Sequence, residues 1–286
     1  VQQLKKSNHI TLVENCLVKK IETSTDCIKA TTDEGVFVAK MMIGADGAQS
    51  VVAKFLGTST MERKHHSAGL RVYYENIGGF HPDRFIELYF FNEILPGYLW
   101  IFPLPDNKAN VGIGMLSHTI TKKKINLRET LEKLIRDHPS LKKRFQDARP
   151  VETVKGFGLP LGSKKRKISG ERILLTGDAA SLIDPFSGEG IGNAIRSGRV
   201  AAEHIIKCFD KSNFSASFNL ANDAEIYRRM WKELRISRTL QQLCRYPWLL
   251  NFVVTKANHS RYLQQFLADA LAQPDQKKQF ANHGFY

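Results

Sequence analysis

Apolar positions fall into short runs through the first half of the chain and into long periodic stretches through the second. Residues 10–13, 16–23, 27–31 and 36–43 are runs of strand length. The gaps Ser24-Thr25-Asp26 and Asp33-Glu34-Gly35 carry turn residues, so a meander is predicted there. Residues 51–56 read as a short helix. A second strand-rich block covers 63–77, 84–91, 98–104 and 109–116, with breaks at Gly78-Gly79 and Asp106-Asn107. Alternation sets Tyr98, Trp100 and Phe102 on one face of their strand and Leu99 and Ile101 on the other. Both faces are apolar, so the second meets either a helix layer or a long apolar cavity. An ordinary aromatic core and a ligand-lining face both remain open.

Residues 126–147 have helical spacing, with Leu127, Leu131, Leu134 and Ile135 at core positions and a break near Pro139. Residues 150–161 return as a strand. The basic run from Ser163 to Lys167 reads as a solvated loop between strands. Ile173-Leu174-Leu175 is apolar without alternation, as in a strand covered on both faces. After Gly188 a helix is predicted to about Cys208, with Ile191, Ala194, Ile195, Gly198, Ala202 and Ile205 as its buried stripe. From Ala221 the chain reads as helical to its end. There Trp231, Leu234, Leu240, Leu243, Trp248, Leu249, Leu250 and Phe252 would dock it as a lid or the far wall of a cavity.

Candidate chemistry gathers where the buried strand stops. Gly177-Asp178-Ala179-Ala180 follows Ile173-Leu174-Leu175 directly. In open α/β sheets ligands sit beyond the carboxyl ends of strands, and a carboxylate there suits the hydroxyls of a ribose or ribityl chain. Pro185 closes the loop that follows. Ser187 is the expected N-cap of the next helix, whose glycines Gly188, Gly190 and Gly192 let another group approach its first turn. Free N–H groups and a dipole worth roughly half a positive charge would stabilise a phosphate or an anionic reduced flavin there. A second apolar run, Met41-Met42-Ile43, ends in Gly44-Ala45-Asp46-Gly47 and repeats the arrangement.

These two segments, and the loop Asp184-Pro185-Phe186-Ser187-Gly188-Glu189-Gly190-Ile191, resemble the flavin-contacting motifs of para-hydroxybenzoate hydroxylase-type FAD enzymes. Pro96-Gly-Tyr-Leu-Trp-Ile-Phe-Pro103, followed by Val111-Gly-Ile-Gly114, is similar to the aromatic block of the geranylgeranyl reductase family. The resemblance implies an α/β (α+β) chain. Part of a Rossmann-like FAD-binding domain (1–60 and 162–210) would be interleaved with an antiparallel-sheet substrate domain (61–161), followed by a C-terminal helical region (211–286). It also implies FAD contacts at Asp46, Gly47, Gly177, Asp178, Ala179, Pro185, Gly188, Glu189, Gly190 and Ile191. Tyr98, Trp100 and Phe102 would border an isoprenoid cavity. The implied reaction is reduction of carbon–carbon double bonds in a polyprenyl lipid, with NADPH or another reductant as electron donor. No catalytic residue or proton donor is assigned.

The family opens with a strand, a Gly-x-Gly-x-x-Gly turn and a helix that hold the ADP half of FAD, and no such unit occurs here. Val1 is not an initiator methionine, so the expectation is a chain missing roughly its first 100 residues, the scale of a βαβαβ unit. Such a chain would hold FAD poorly. The strands ending at Ile43 and Leu175 would each lack a sheet neighbour.

Composition adds little that is selective. At 286 residues, 42% hydrophobic and 24% charged, the chain has room for two domains, and its formal charge of +14 attracts anions of every kind. Four scattered cysteines make no disulfide framework, and His65-His66 has no acid at ligand spacing, so no metal is expected. No apolar run approaches the ~20 residues of a membrane span. A cytoplasmic protein, with peripheral contact to acidic lipid, is the expectation. An aromatic hydroxylase of the same fold would instead carry a compact pocket with an arginine or tyrosine clamp. A basic nucleic-acid-binding module would need a positive face with stacking aromatics, and would give Asp178 no purpose.

Overall fold

The computed structural model describes residues 6–58 and 60–265. Strands β1 (Val18–Thr23), β2 (Ile28–Thr32) and β3 (Val36–Ala39) form the expected meander, an antiparallel sheet in the order β1-β2-β3. Residues 10–13, read as a strand from their apolar run, have no ladder partner. Ile10 and Val13 are 47% and 42% exposed.

Strand β4 (Met42–Gly44) leads into helix α1 (Val51–Phe55). The large sheet comes next. It comprises β5 (His66–Glu75), β6 (Glu87–Tyr89), β7 (Tyr98–Leu104), β8 (Lys108–Leu116), β9 (Arg149–Pro150) and β10 (Lys155–Pro160). Its order is β10-β5-β8-β7-β6, with β9 also pairing β5, and every pairing is antiparallel. Residues 63–65, expected to begin β5, form a 3-10 turn instead. Helix α2 (Ser117–Lys123), which no apolar stripe announces, follows β8 directly.

Helix α3 (Leu127–Asp137) starts where Asn126 accepts backbone hydrogen bonds from Arg128 and Glu129. It lays Leu127, Leu131 and Leu134 against the sheet, and the short α4 (Pro139–Lys142) adds Leu141. Leu99, Ile101, Val111 and Ile113 beneath them are wholly buried. Each such side chain contributes ~1.5–3 kcal/mol, so this layer fixes one face of β7 and leaves the other free to line a cavity.

Strand β12 (Ile173–Leu175) lies between β11 (Ser169–Gly170), antiparallel, and β4, parallel. All three β12 side chains are fully buried, as their unbroken apolar run requires. Leu175 is therefore not at an open edge, contrary to expectation; among the described residues β4 is an edge strand, as is β11, and Ile43 on β4 is 42% exposed.

Helix α5 (Ile191–Asp210) corrects two sequence expectations. Its N-cap is Gly190, not Ser187, because Ser187 spends its hydroxyl on Asp184 in the preceding loop. The buried stripe is also rotated: Ile191 and Ile195 are 78% and 68% exposed, while Asn193, Ser197, Val200, Ala201, His204 and Cys208 face inward. The inward polar groups serve buried backbone. Ser197 Oγ accepts from Gly177 N at 2.9 Å and Asn193 Nδ2 donates to Leu182 O at 2.8 Å, bonds that isoleucines could not make.

Helix α6 (Ala216–Leu243) begins at Ala216, five residues ahead of the expected start, capped by Ser215, and packs Ile226, Met230 and Leu234 into the core above β12. Helix α7 (Pro247–Asn258) departs from the expected docking: Trp248 and Phe252 face outward, at 69% and 57% exposure. The helical reading beyond residue 265 falls outside the described residues. The basic run is not simply solvated either. Ser163 is buried, Lys164 and Arg166 pair with Glu62, and Lys165 lies over the Tyr227 and Trp231 rings.

Candidate functional site

Parallel pairing of β4 with β12 sends both acid-bearing segments out of the same end of one sheet. Gly44 pairs with Leu175, and Thr176 N donates to Gly44 O at 3.0 Å, so Asp46-Gly47 and Gly177-Asp178 leave as neighbours. Their carboxylates are used differently. Asp46 is committed to α1, accepting from Ser50 Oγ at 2.5 Å and from the backbone of Val51 and Val52 at 2.7 and 3.2 Å. It anchors a helix start, and Gly47 beside it takes a φ of +75°, a conformation that favours glycine.

Asp178 is different. It is half-buried in a 3-10 turn that carries Ala179 and Ala180 into the core, and its carboxylate has no hydrogen-bond partner among the described residues. Burial pushes its pKa above the ordinary aspartate value. Oδ1 lies 3.3 Å from where a Cβ on Gly190 would stand, so the open acceptor borders the N-terminus of the 20-residue α5. Glu189 fills part of that terminus itself, with Oε1 accepting from Gly192 N at 2.6 Å. Ile191 brings only its backbone, since its side chain points to solvent.

Between β12 and α5, Asp184 organises the loop. Its Oδ1 accepts from Phe186 N, Ser187 N and Ser187 Oγ at 3.0, 2.9 and 3.0 Å, and Oδ2 accepts from Ser237 Oγ of α6 at 2.6 Å. Pro185 O accepts from the Gln241 side chain, a second tie to α6. The Tyr98 hydroxyl donates to Ser187 O and couples β7 to the same loop. Burial, followed by the nearby Asp184 charge, pushes the Tyr98 phenol up to about 12, so it stays a donor at any ordinary pH. Asp184 and Gln241 were not singled out from the sequence, although the Asp-Pro-x-Ser spacing is a signal for a side-chain-organised turn.

This loop forms one end of a cavity of about 1010 Å³. Tyr98, Trp100 and Phe102 line it together with Leu70, Phe157 and Leu159 from β5 and β10, Phe85 and Ile86 ahead of β6, and Phe186, Gly188 and Glu189 from the loop. The β7 alternation thus resolves into both alternatives at once, with a helix layer over Leu99 and Ile101 and a cavity against the aromatics. Glycines make room for the indole. Trp100 pairs across the sheet with Gly112, where a Cβ would overlap the ring, and Nε1 donates to Asn110 Oδ1 at 2.9 Å. Of the arginines in the lining, Arg71 pairs with Glu152, while Arg84 is exposed and donates one N–H to Leu104 O at 3.2 Å.

Comparison with known proteins agrees with this geometry. Residues 66–157, which carry the large sheet and its helix layer, match a family model for the geranylgeranyl reductase catalytic domain. The digeranylgeranylglycerophospholipid reductase of Methanosarcina acetivorans is 34% identical over 196 residues, 68% of this chain and 45% of that protein. The protein of the same name from Thermoplasma acidophilum is 32% identical over 177 residues, 62% of this chain and 43% of its own length. The chain therefore spans about half the length of these curated relatives. A solved geranylgeranyl bacteriochlorophyll reductase-like protein from Thermoplasma acidophilum superposes with a TM-score of 0.67 at 26% identity, covering 80% of this chain and 60% of that one. A flavin-dependent halogenase shares the fold at TM-score 0.63 and 18% identity, covering 79% of this chain and 42% of the halogenase. Sequence, family model and fold together make this chain a relative of the geranylgeranyl reductase family.

Proposed function

We propose that the chain works in the flavin-dependent reduction of carbon–carbon double bonds in a polyprenyl lipid. The observation that carries this reading is the adjacency of an apolar cavity to an open acidic acceptor and a helix N-terminus, all meeting at the Asp184–Gly190 loop. A volume of about 1010 Å³ lies at the top of the ~300–1,000 Å³ range of small-molecule sites, which suits a long chain better than a single ring. An arginine clamp for a polar aromatic acid is disfavoured at Arg71, whose charge is paired with Glu152, and Arg84 stands exposed with one N–H on Leu104 O.

FAD fits the residues present: a half-buried carboxylate lacking a protein partner and a cradle that a Cβ on Gly190 would crowd are what a ribityl hydroxyl and a flavin edge need. When bound, the flavin would supply hydride to the double bond, with the matching proton drawn from solvent, and would be recharged by NADPH or another reductant. Asp178 and the Gly188–Ile191 backbone would hold it, with Gly47, Gly177, Ala179 and Pro185 shaping the approach and Asp46 fixing the α1 start. Tyr98, Trp100 and Phe102 orient the lipid and exclude water. Membrane contact would run through α7, whose exposed Trp248 and Phe252 lie near Arg245 and Lys256 in sequence, a pattern suited to an acidic lipid surface. No helix among the described residues is long and apolar enough to cross a membrane.

Titration with FAD, followed by flavin fluorescence, tests the Asp178 assignment. Asp178→Asn is expected to weaken binding roughly 10- to 150-fold, the equivalent of one charge-assisted hydrogen bond of ~1.5–3 kcal/mol. The flavin-free variant is expected to melt no lower than the parent at pH 7. The folded-state pKa of Asp178 is raised, so its ionised form costs stability above that pKa, and the cost fades as pH falls and the group protonates. The gap in melting temperature should therefore close toward pH 4. Unchanged FAD affinity in the variant would remove Asp178 from the site.

A further inference from the structure

We propose that a basic pocket beside the apolar cavity seats the phosphate group of the amphiphile whose isoprenoid chain fills that cavity. This rests on the lipid reading above. The pocket, of about 280 Å³, is lined by Lys64 and His65 from the turn before β5, His118 from α2, Ser163, and Arg238 and Arg245 from α6 and the residues just after it. Among the described residues no aspartate or glutamate lines it. Leu116 and Gln241 line both spaces, so the two adjoin at these residues.

The basic wall is built rather than incidental. Arg238 Nη1 donates to Ser163 O at 2.8 Å, and His65 Nδ1 is hydrogen-bonded to Ser163 Oγ at 2.7 Å, so both side chains are tied to one buried residue. Lys64, Arg238 and Arg245 have no carboxylate within ion-pairing distance among the described residues. Glu62, the acid on the same turn, is shared among Lys164 at 3.1 Å, Arg166 at 3.4 Å and His65 Nε2 at 4.0 Å. Like charges gathered in a concavity in excess of the counter-charge, here Glu62 beside His65, create a potential that an anion relieves. Guanidinium and ammonium groups are the usual partners of phosphate oxygens, so a phosphate is the chemistry selected. Apolar and basic chambers side by side match a ligand with a hydrocarbon chain at one end and a phosphate at the other.

Three probes separate the possibilities: geranylgeranyl monophosphate, geranylgeraniol and inorganic phosphate, each titrated by calorimetry into the chain and into a Lys64→Gln/Arg245→Gln double variant. Both replaced side chains are exposed, so folding is expected to survive, and a thermal melt checks it. The monophosphate should bind at least about tenfold more tightly than the alcohol, and the double variant should lose that advantage while binding the alcohol as before. Equal affinities for the two lipids, or an advantage that persists in the double variant, would overturn the headgroup site and leave the lipid cavity standing. Inorganic phosphate binding as tightly as the lipid monophosphate would make the pocket a free-anion site and overturn the proposal as stated. Failure of both lipids to bind would remove the lipid reading, and this inference with it.

Discussion

Asp184→Ala is expected to destabilise the fold by about 4 kcal/mol and to abolish ligand binding where the loop meets the cavity and the α5 start. Asp184 is 4% exposed, and its carboxylate accepts from four groups, two backbone amides and two hydroxyls, drawn from its own loop and from α6. Each charge-assisted bond contributes ~1.5–3 kcal/mol net, and members of one network do not add fully, which places the total near the upper range for single substitutions. Alanine would leave Phe186 N, Ser187 N and Ser237 Oγ without this acceptor. The loop would lose the shape that sets Gly188 and Glu189 at the cavity end and Gly190 beside Asp178. A melting temperature lower by about 10 °C would follow at the ~2–4 °C per kcal/mol typical of chains near this size. Asp184→Asn, which keeps one acceptor oxygen, should recover part of the loss. Near-parental melting of the alanine variant would show that the loop is held by other contacts.

Trp100→Ala and Ile101→Ala should give opposite results although the residues are adjacent. Ile101 is wholly buried under α3 with Val111, Ile113 and Leu131, so truncation opens a void that cannot fill and costs ~2–5 kcal/mol. Lipid affinity of the protein that remains folded should hardly change. Trp100 is only partly buried, and its exposed surface faces the cavity beside Phe102 and Tyr98. Its loss should cost clearly less stability while widening the cavity and weakening retention of a geranylgeranyl chain at least about tenfold, the equivalent of ~1.4 kcal/mol. Melts paired with lipid titrations decide the matter. A Trp100 variant as unstable as the Ile101 variant, with unaltered lipid affinity, would make the aromatic face ordinary core.

Where a strand's burial is uniform or strictly alternating, sequence pattern was sufficient. Ile173 to Leu175 and the Tyr98 to Phe102 alternation were both legible because period and burial coincide. That β4 and β12 each lead to a glycine and an aspartate was legible too, whereas their parallel pairing, which brings the two ends together, was not. Helix α5 was misread because its inward face is chosen by backbone groups needing partners, and Asn193 and Ser197 supply them where Ile191 and Ile195 cannot. The part played by Asp46 was hidden for a similar reason: its bonds run forward to a helix start whose geometry no spacing rule fixes. The basic pocket lay beyond pattern reading altogether, because His65 and Arg238 meet only through Ser163, which is distant from both in sequence.

Mass analysis of a lipid bearing geranylgeranyl chains, after anaerobic incubation with the protein, FAD and excess dithionite, tests the central claim most directly. The expected result is a gain of two hydrogens for each double bond reduced, diminished in Trp100→Ala and Asp178→Asn at limiting lipid and FAD, and absent without protein. Lipid recovered unchanged alongside protein-bound, fully reduced flavin would contradict the account.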